Sequence, residues 1–273
     1  MDTALSWSHA LILGLVQGLT EFLPVSSSAH LRIVAALAGW PDPGPAFTAV
    51  TQLGTEAAVI VYFARDIAAI MKAWVRSLAD RSALSDPNAR LGWLVIAGTI
   101  PIGVLGLALQ STIESSFRSL WLIAAALIGF ALVLGWADRV AANRRPLESL
   151  SIRDGLLCGL AQALALIPGV SRSGGTISAA LLLGYTRPAA ARFSFLLAVP
   201  AVVLSGLFEL KDLTPGALSA GPVLAATAVA FAVGYAVIAW LLRYLSHGSF
   251  APFVVYRIVA GVAVLGLLGA GAL

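Results

Sequence analysis

Cysteine is nearly missing from this chain. The one present among 273 residues, Cys158, sits in an apolar run with no metal-ligand spacing around it, which excludes an intrachain disulfide and a thiolate metal site. Charge is scarce as well. Only 11% of the residues are Asp, Glu, Lys or Arg against 59% hydrophobic, too few polar side chains to coat a soluble globule of this size. The long apolar runs place the chain in a bilayer. The formal net charge of +4 comes from loop Arg and Lys rather than from a basic domain, so it reads as topology, and no nucleic-acid partner is expected. The start of the chain lacks the basic flank and small-residue cleavage site of a signal peptide, and its first apolar segment carries Gln17 and Glu21. That segment is expected to remain part of the mature structure.

Six apolar segments of about 20 residues, long enough to span, run at about 46–64, 91–109, 119–137, 193–210, 219–242 and 252–272. Two further apolar regions, about 5–40 and 152–186, are each broken in the middle. The first break is Leu23-Pro24-Val25-Ser26-Ser27-Ser28, and the second is Pro168-Gly169-Val170-Ser171-Arg172-Ser173-Gly174-Gly175. Each region reads as helix, loop, helix. Irregular backbone at membrane depth persists only where protein or a wet cavity satisfies it, so both hairpins are expected to be re-entrant and to line a site.

The two broken regions resemble each other. At an offset of 145 residues, Gly14-Leu15-Val16-Gln17-Gly18-Leu19 falls on Gly159-Leu160-Ala161-Gln162-Ala163-Leu164, and Val25-Ser26-Ser27-Ser28 falls on Val170-Ser171-Arg172-Ser173. The fold class expected is therefore an all-α polytopic membrane protein of two repeats, about 1–140 and 150–273, each a re-entrant hairpin plus three spans. An odd number of spans per repeat inverts the second copy. Loop charge points the same way: Arg65, Lys72, Arg76, Arg81 and Arg90 between 65 and 90, and Arg139, Arg144, Arg145 and Arg153 between 138 and 153, mark both loops as cytoplasmic. Counting outward puts Arg187, Arg192, Arg243 and Arg257 on that side and Arg32, Arg118 and Lys211 opposite. The first hairpin then enters from outside, the second from inside, and their loops meet near mid-membrane.

On the first half-helix, Gly14, Gln17, Gly18 and Glu21 share one face, because spacings of three and four stack on a helix. A carboxylate in the membrane is costly and is a functional candidate, although a neighbouring serine or amide could simply satisfy it. Ser27 and His30 follow six and nine residues after Glu21, where the next half-helix begins and its free N–H groups favour an anion. A nucleophile and a proton carrier stand together there, where a lone serine or histidine would read as ordinary packing. In the second break, Arg172 is flanked by Ser171 and Ser173 and followed by two glycines and Thr176. A guanidinium fork, hydroxyls and close-approaching backbone make a phosphate cradle.

Taken together, the stretches Gly14 to His30 and Pro168 to Thr176 closely resemble the two signature regions of the bacterial undecaprenyl-diphosphate phosphatases of the bacitracin-resistance type. Chain length and the segment Arg192-Phe193-Ser194-Phe195-Leu196-Leu197-Ala198-Val199-Pro200 are also similar to that family, so the resemblance covers essentially the whole chain. It implies a bacterial inner-membrane enzyme converting undecaprenyl diphosphate to undecaprenyl phosphate for recycling of the cell-envelope carrier lipid. It also implies bacitracin resistance, a site facing the periplasm, and a divalent cation, Mg²⁺ or Ca²⁺. Residue by residue, Glu21 matches the second acid of the family's acidic motif, Ser27 and His30 its catalytic serine and histidine, and Arg172 its phosphate-binding arginine. Ser26, Ser171, Ser173 and Thr176 match flanking polar positions. Gln17 stands where some members have Glu, so a cation site on Gln17 and Glu21 would lean on phosphate oxygens and water.

On this reading Arg172 clamps the diphosphate, Ser27 attacks the terminal phosphorus, and His30 or Glu21 takes the proton. Direct attack by water stays open. A transporter or flippase of a phosphorylated lipid or anion is the rival, since inverted repeats with broken helices are also a transporter plan, but anion binding needs no nucleophile. A structural scaffold would leave Glu21 and Arg172 as unexplained costs. Glu56, near Gln52 and Thr55, either touches the site or makes a helix-packing hydrogen bond. Glu114 and Arg118 are expected in the short outer loop, Glu209 and Asp212 at a span end and His9 and His247 near interfaces, with Trp40, Trp93, Trp121 and Trp136 as interfacial anchors. The small-residue faces are also compatible with a homodimer.

Overall fold

A computed structural model describes residues 6–109, 113, 117, 119–210 and 220–273, with side chains through 206 in the segment that ends at 210. Glu114, Arg118, Lys211, Asp212 and the side chain of Glu209 lie outside the described residues. Among the described residues the fold is all-helical, with eleven α-helices. In chain order these are α1 (Trp7–Thr20), α2 (Ser27–Leu37), α3 (Gly44–Tyr62), α4 (Ala64–Ala79), α5 (Pro87–Ala108) and α6 (Leu120–Val140). They continue as α7 (Ile152–Ala163), α8 (Arg172–Leu182), α9 (Arg187–Leu210), α10 (Ala220–Leu245) and α11 (Ala251–Gly269).

Five of these, α5, α6, α9, α10 and α11, are long and apolar enough to cross a bilayer, as expected of a polytopic membrane protein. The sixth expected span, α3, differs in character. Its 19 residues give it a length of about 28 Å. Yet Thr51, Thr55 and Glu56 on one side are buried, so α3 carries a polar seam inward, where it packs on α9 and α10.

The segment 65–90 is not the loop that its charges predict. It is largely α4, whose Ile70, Ala73 and Ser77 are buried and which packs along α5. A helical period hides behind the charge there: Met71, Val75 and Leu78 form an exposed apolar stripe while Arg65, Lys72 and Arg76 lie on an adjacent face, the arrangement of a helix in the plane of a membrane surface.

Both broken regions fold as expected, α1 with α2 and α7 with α8. Ser26 and Ser171, 145 residues apart, immediately precede α2 and α8, and both adopt a left-handed backbone, with φ of 74° and 76°. That conformation costs a residue with a side chain about 1–3 kcal/mol, so its appearance at matching positions marks both loops as over-determined by their surroundings. The hairpins also pack reciprocally, α1 along α10 and α7 along α5. Glycine makes each contact possible. A Cβ on Gly14 would lie 2.4 Å from the carbonyl oxygen of Ala226, and one on Gly159 would lie 2.2 Å from that of Gly98.

The second hairpin is anchored where it begins. Ser151 and Asp154 form a capping box at the start of α7, and Asp154 also accepts from Arg145 at 2.7 Å and from the Tyr185 hydroxyl at 2.6 Å. Burial opposes ionisation of Asp154, but the hydrogen bonds from Tyr185, Arg145 and Ser151 outweigh it and lower its pKa from 3.8 to about 2. Because the folded value lies below the unfolded one, the stabilisation is complete above about pH 4 and is lost as pH falls towards 2. Thermal melting in detergent should show the wild type losing more stability than Asp154→Asn between pH 5 and pH 2.5, while the variant starts lower at pH 7. Equal acid slopes would refute this. Gly159→Ala should lower the melting temperature by the equivalent of about 1–3 kcal/mol, since α7 and α5 must separate.

Candidate active site

Hydrogen-bond accounting explains why two irregular loops sit together inside an apolar protein. Loop 21–26 and loop 167–171 bond to each other rather than to solvent. The N–H of Gly169 donates to Ser26 Oγ at 3.1 Å, and the Ser173 hydroxyl donates to the carbonyl of Leu23 at 3.2 Å. Arg257 of α11 joins them further. Its guanidinium is fully buried and donates to Pro24 O at 2.8 Å, Gly169 O at 2.7 Å, Val170 O at 3.1 Å and Leu127 O at 3.2 Å. Counting spans had grouped Arg257 with the cytoplasmic charges. It is instead the clamp between the loops, because carbonyls in an interior without water need donors and one guanidinium supplies several. The available signal was an arginine inside the last apolar run, flanked by Val254, Val255, Ile258 and Val259.

Glu21 stands where the loops meet. It follows the last turn of α1, and its carboxylate accepts from Gln17 Nε2 at 2.6 Å and from Ser27 Oγ at 2.5 Å through one oxygen while pairing with the Arg172 guanidinium through the other. Three donors on one buried carboxylate offset the cost of desolvating it. The Ser27 hydroxyl opens α2, and its proton is directed at Glu21. Ser26 caps no N–H of α2, since its hydroxyl is engaged by Gly169, so the positive end of α2 faces the same space as Ser27.

His30 does not touch Ser27. Its Nδ1 donates to the Ser26 carbonyl at 2.8 Å, and its Nε2 meets the Tyr256 hydroxyl at 2.7 Å. The geometry therefore brings Glu21, not His30, to the serine, and His30 bonds the backbone of Ser26 instead. Ser171 shares a hydrogen bond of 3.0 Å with Ser173 and accepts from the N–H of Gly174 at 3.1 Å. Thr176 is fully buried behind them, its hydroxyl without a partner.

A cavity of about 520 Å³ opens onto this group. Glu21, Ser26, Ser27, Ser171 and Arg172 form its polar end, and Ile102, Leu107, Leu166 and Leu204 are among the residues lining the rest. Near the polar end Arg32 pairs with Asp42 at 3.2 Å. A charged head and a hydrocarbon tail are both accommodated by such a lining. Among the described residues no group of three His, Cys, Asp or Glu is placed to hold a metal ion. A cation here would have Glu21 and the amide oxygen of Gln17, which has no hydrogen-bond partner, with the remaining ligands coming from a bound phosphate and water.

Residues 10–263 match the family described as bacitracin resistance protein BacA. The chain belongs to that family. Among its relatives is undecaprenyl-diphosphatase 2 of Frankia casuarinae, 62% identical over 276 residues, covering 96% of this chain and 94% of the relative. The undecaprenyl-diphosphatase of Micrococcus luteus is 59% identical, covering 98% and 99%, and that of Kineococcus radiotolerans is 64% identical, covering 96% and 93%. The family resemblance drawn from the two broken regions is thus borne out over nearly the whole chain.

Because Arg257 serves both loops, Arg257→Gln should loosen them together. Hydrogen–deuterium exchange should rise in 21–26 and in 167–171 alike, with a stability loss of about 3–5 kcal/mol, the scale for removing one partner of a buried charged network. Exchange rising in one loop alone would refute the shared clamp.

Proposed function

We propose that this protein hydrolyses undecaprenyl diphosphate to undecaprenyl phosphate and inorganic phosphate, with Glu21, Ser27 and Arg172 at the reacting group. The observation that carries the reading is the Ser27 hydroxyl hydrogen-bonded to a carboxylate that also pairs with an arginine from the opposite loop, at the polar end of an apolar cavity. Family membership and the names of the relatives point the same way. A carrier that only bound its anion would need Arg172 but no nucleophile with its base beside it.

The arriving diphosphate competes with Glu21 for the Arg172 guanidinium, whose fork suits phosphate oxygens. Glu21, released from that pair, becomes the more basic partner of Ser27. The Ser27 oxygen attacks the terminal phosphorus and its proton passes to Glu21. The bond from that phosphorus to the bridging oxygen breaks, and the lipid leaves as its monophosphate. Glu21 passes its proton to the departing monophosphate; water then attacks the phosphoserine, losing a proton to Glu21, which returns it to the Ser27 oxygen as the phosphorus–oxygen bond breaks and phosphate departs. Arg172, Ser171 and the N-terminus of α2 stabilise the charge on the transferred group, and His30 acts through Ser26 by fixing the backbone beside Ser27. A divalent cation, Mg²⁺ or Ca²⁺, held by Glu21 and Gln17 would offset charge on the diphosphate. In this reading the halves insert in opposite senses in the bacterial inner membrane, the basic loops are cytoplasmic, and the cavity opens to the periplasmic side.

Phosphate release from undecaprenyl diphosphate by the purified protein, with and without Mg²⁺ or Ca²⁺, is the test. Wild type should release phosphate, Arg172→Ala should lose about 10²–10³-fold or more in rate, and Glu21→Ala a comparable amount. Ser27→Ala should be inactive, and quenched wild type should carry phosphate on Ser27. A fully active Ser27→Ala would transfer the attack to water, and no release from folded wild type would sink the enzyme in favour of a carrier.

A further inference from the structure

The proposed reaction makes no use of Glu56, a buried acid; the buried Asp138 and Asp154 are both paired with arginines. Glu56 on α3 is only 2% exposed, and its Oε1 has no hydrogen-bond partner. The helix-packing hydrogen bond that would explain it is not made by that oxygen, although the preceding Thr55 hydroxyl satisfies itself on Gln52 O at 2.8 Å. An orphaned carboxylate oxygen inside a protein calls for a partner. Gln52, one turn before Glu56 on the same helix, lines the cavity together with Glu21 and Arg172, and those two charged groups are the ones whose fields reach Glu56.

A second oxygen at the same place is in the same state. Gln17 is fully buried and donates through Nε2 to Glu21, while its Oε1 has no partner. Two partnerless hard oxygens, from α1 and α3, therefore accompany the Glu21 carboxylate. In the empty protein Arg172 pairs with Glu21 and not with Glu56. When the guanidinium turns to a diphosphate, two carboxylates and the diphosphate are left together with too little positive charge among them, and a hard divalent cation answers both the charge and the orphaned oxygens.

We propose that Glu56 is the second carboxylate of a divalent-cation site shared with Glu21 and Gln17, supplying from α3 the charge that an amide at position 17 does not. The proposal rests on the phosphatase reading for the phosphate oxygens that complete the shell. Its test is binding, which is separable from turnover.

Mn²⁺ binding to the detergent-purified full chain can be followed by electron paramagnetic resonance, with and without methylenediphosphonate as a non-hydrolysable diphosphate. Glu56→Gln, close in size to the native residue, should weaken Mn²⁺ binding by about 10–100-fold, and Gln17→Glu added to it should restore most of the affinity by returning a charge to the same cluster. A purely structural Glu56 would give no such rescue. Wild-type affinity in Glu56→Gln, absence of rescue, or no Mn²⁺ binding by wild type would each overturn the proposal. Cation-independent phosphate release by wild type would overturn it too while leaving the phosphatase intact. Mn²⁺ binding that depends on Glu56 in a protein that releases no phosphate would uphold the site and sink the phosphatase.

Discussion

Everything distinctive about this protein depends on keeping two stretches of irregular backbone satisfied inside an apolar bundle. Helices settle their own hydrogen bonds, but the loops at 21–26 and 167–171 cannot. Arg257 resolves this with one guanidinium donating to carbonyls of both loops and of α6. Ser26 and Ser173 complete the exchange between loops through Gly169 N–H and Leu23 O. A cation used in this way is fully committed to the backbone, whereas the second arginine, Arg172, pairs with Glu21 at the cavity.

The loops in turn determine where charge can be held. Glu21 sits at the end of α1, where one oxygen can meet an arginine from the second loop while the other receives the serine that begins α2. Neither half of the chain holds this arrangement alone: Glu21 and Ser27 come from the first hairpin and the Arg172 guanidinium from the second. The left-handed backbone at Ser26 and Ser171 is the local cost of turning each loop sharply into its helix. His30 offsets part of it by bonding the Ser26 carbonyl.

Much of this was legible before any coordinates. The hairpins were readable because proline and consecutive serines interrupt apolar runs that are otherwise long enough to span, and the acid, serine and arginine because polar groups at membrane depth need a reason. Three features were not legible. The basic residues of 65–90 looked like a loop because charge obscured the 3.6-residue period of α4. Arg257 looked like a topology marker because span counting assigns charges to span ends, whereas its partners are carbonyls more than 80 residues away in sequence, at Gly169, and further still at Pro24. His30 and Glu21 read alike as acceptors of the Ser27 proton because proximity in sequence to Ser27 says nothing about which way a ring turns.

The sequence by itself determined the solvent, the class of fold, the two broken helices and the kinds of group they carry, because burial cost and helical periodicity are local properties of the chain. Only the tertiary structure decided the pairings: Glu21 with both Ser27 and Arg172, and Arg257 with both loops. Those pairings join residues brought together by helix packing, and a directional hydrogen bond between distant elements leaves no periodic trace in the order of the amino acids.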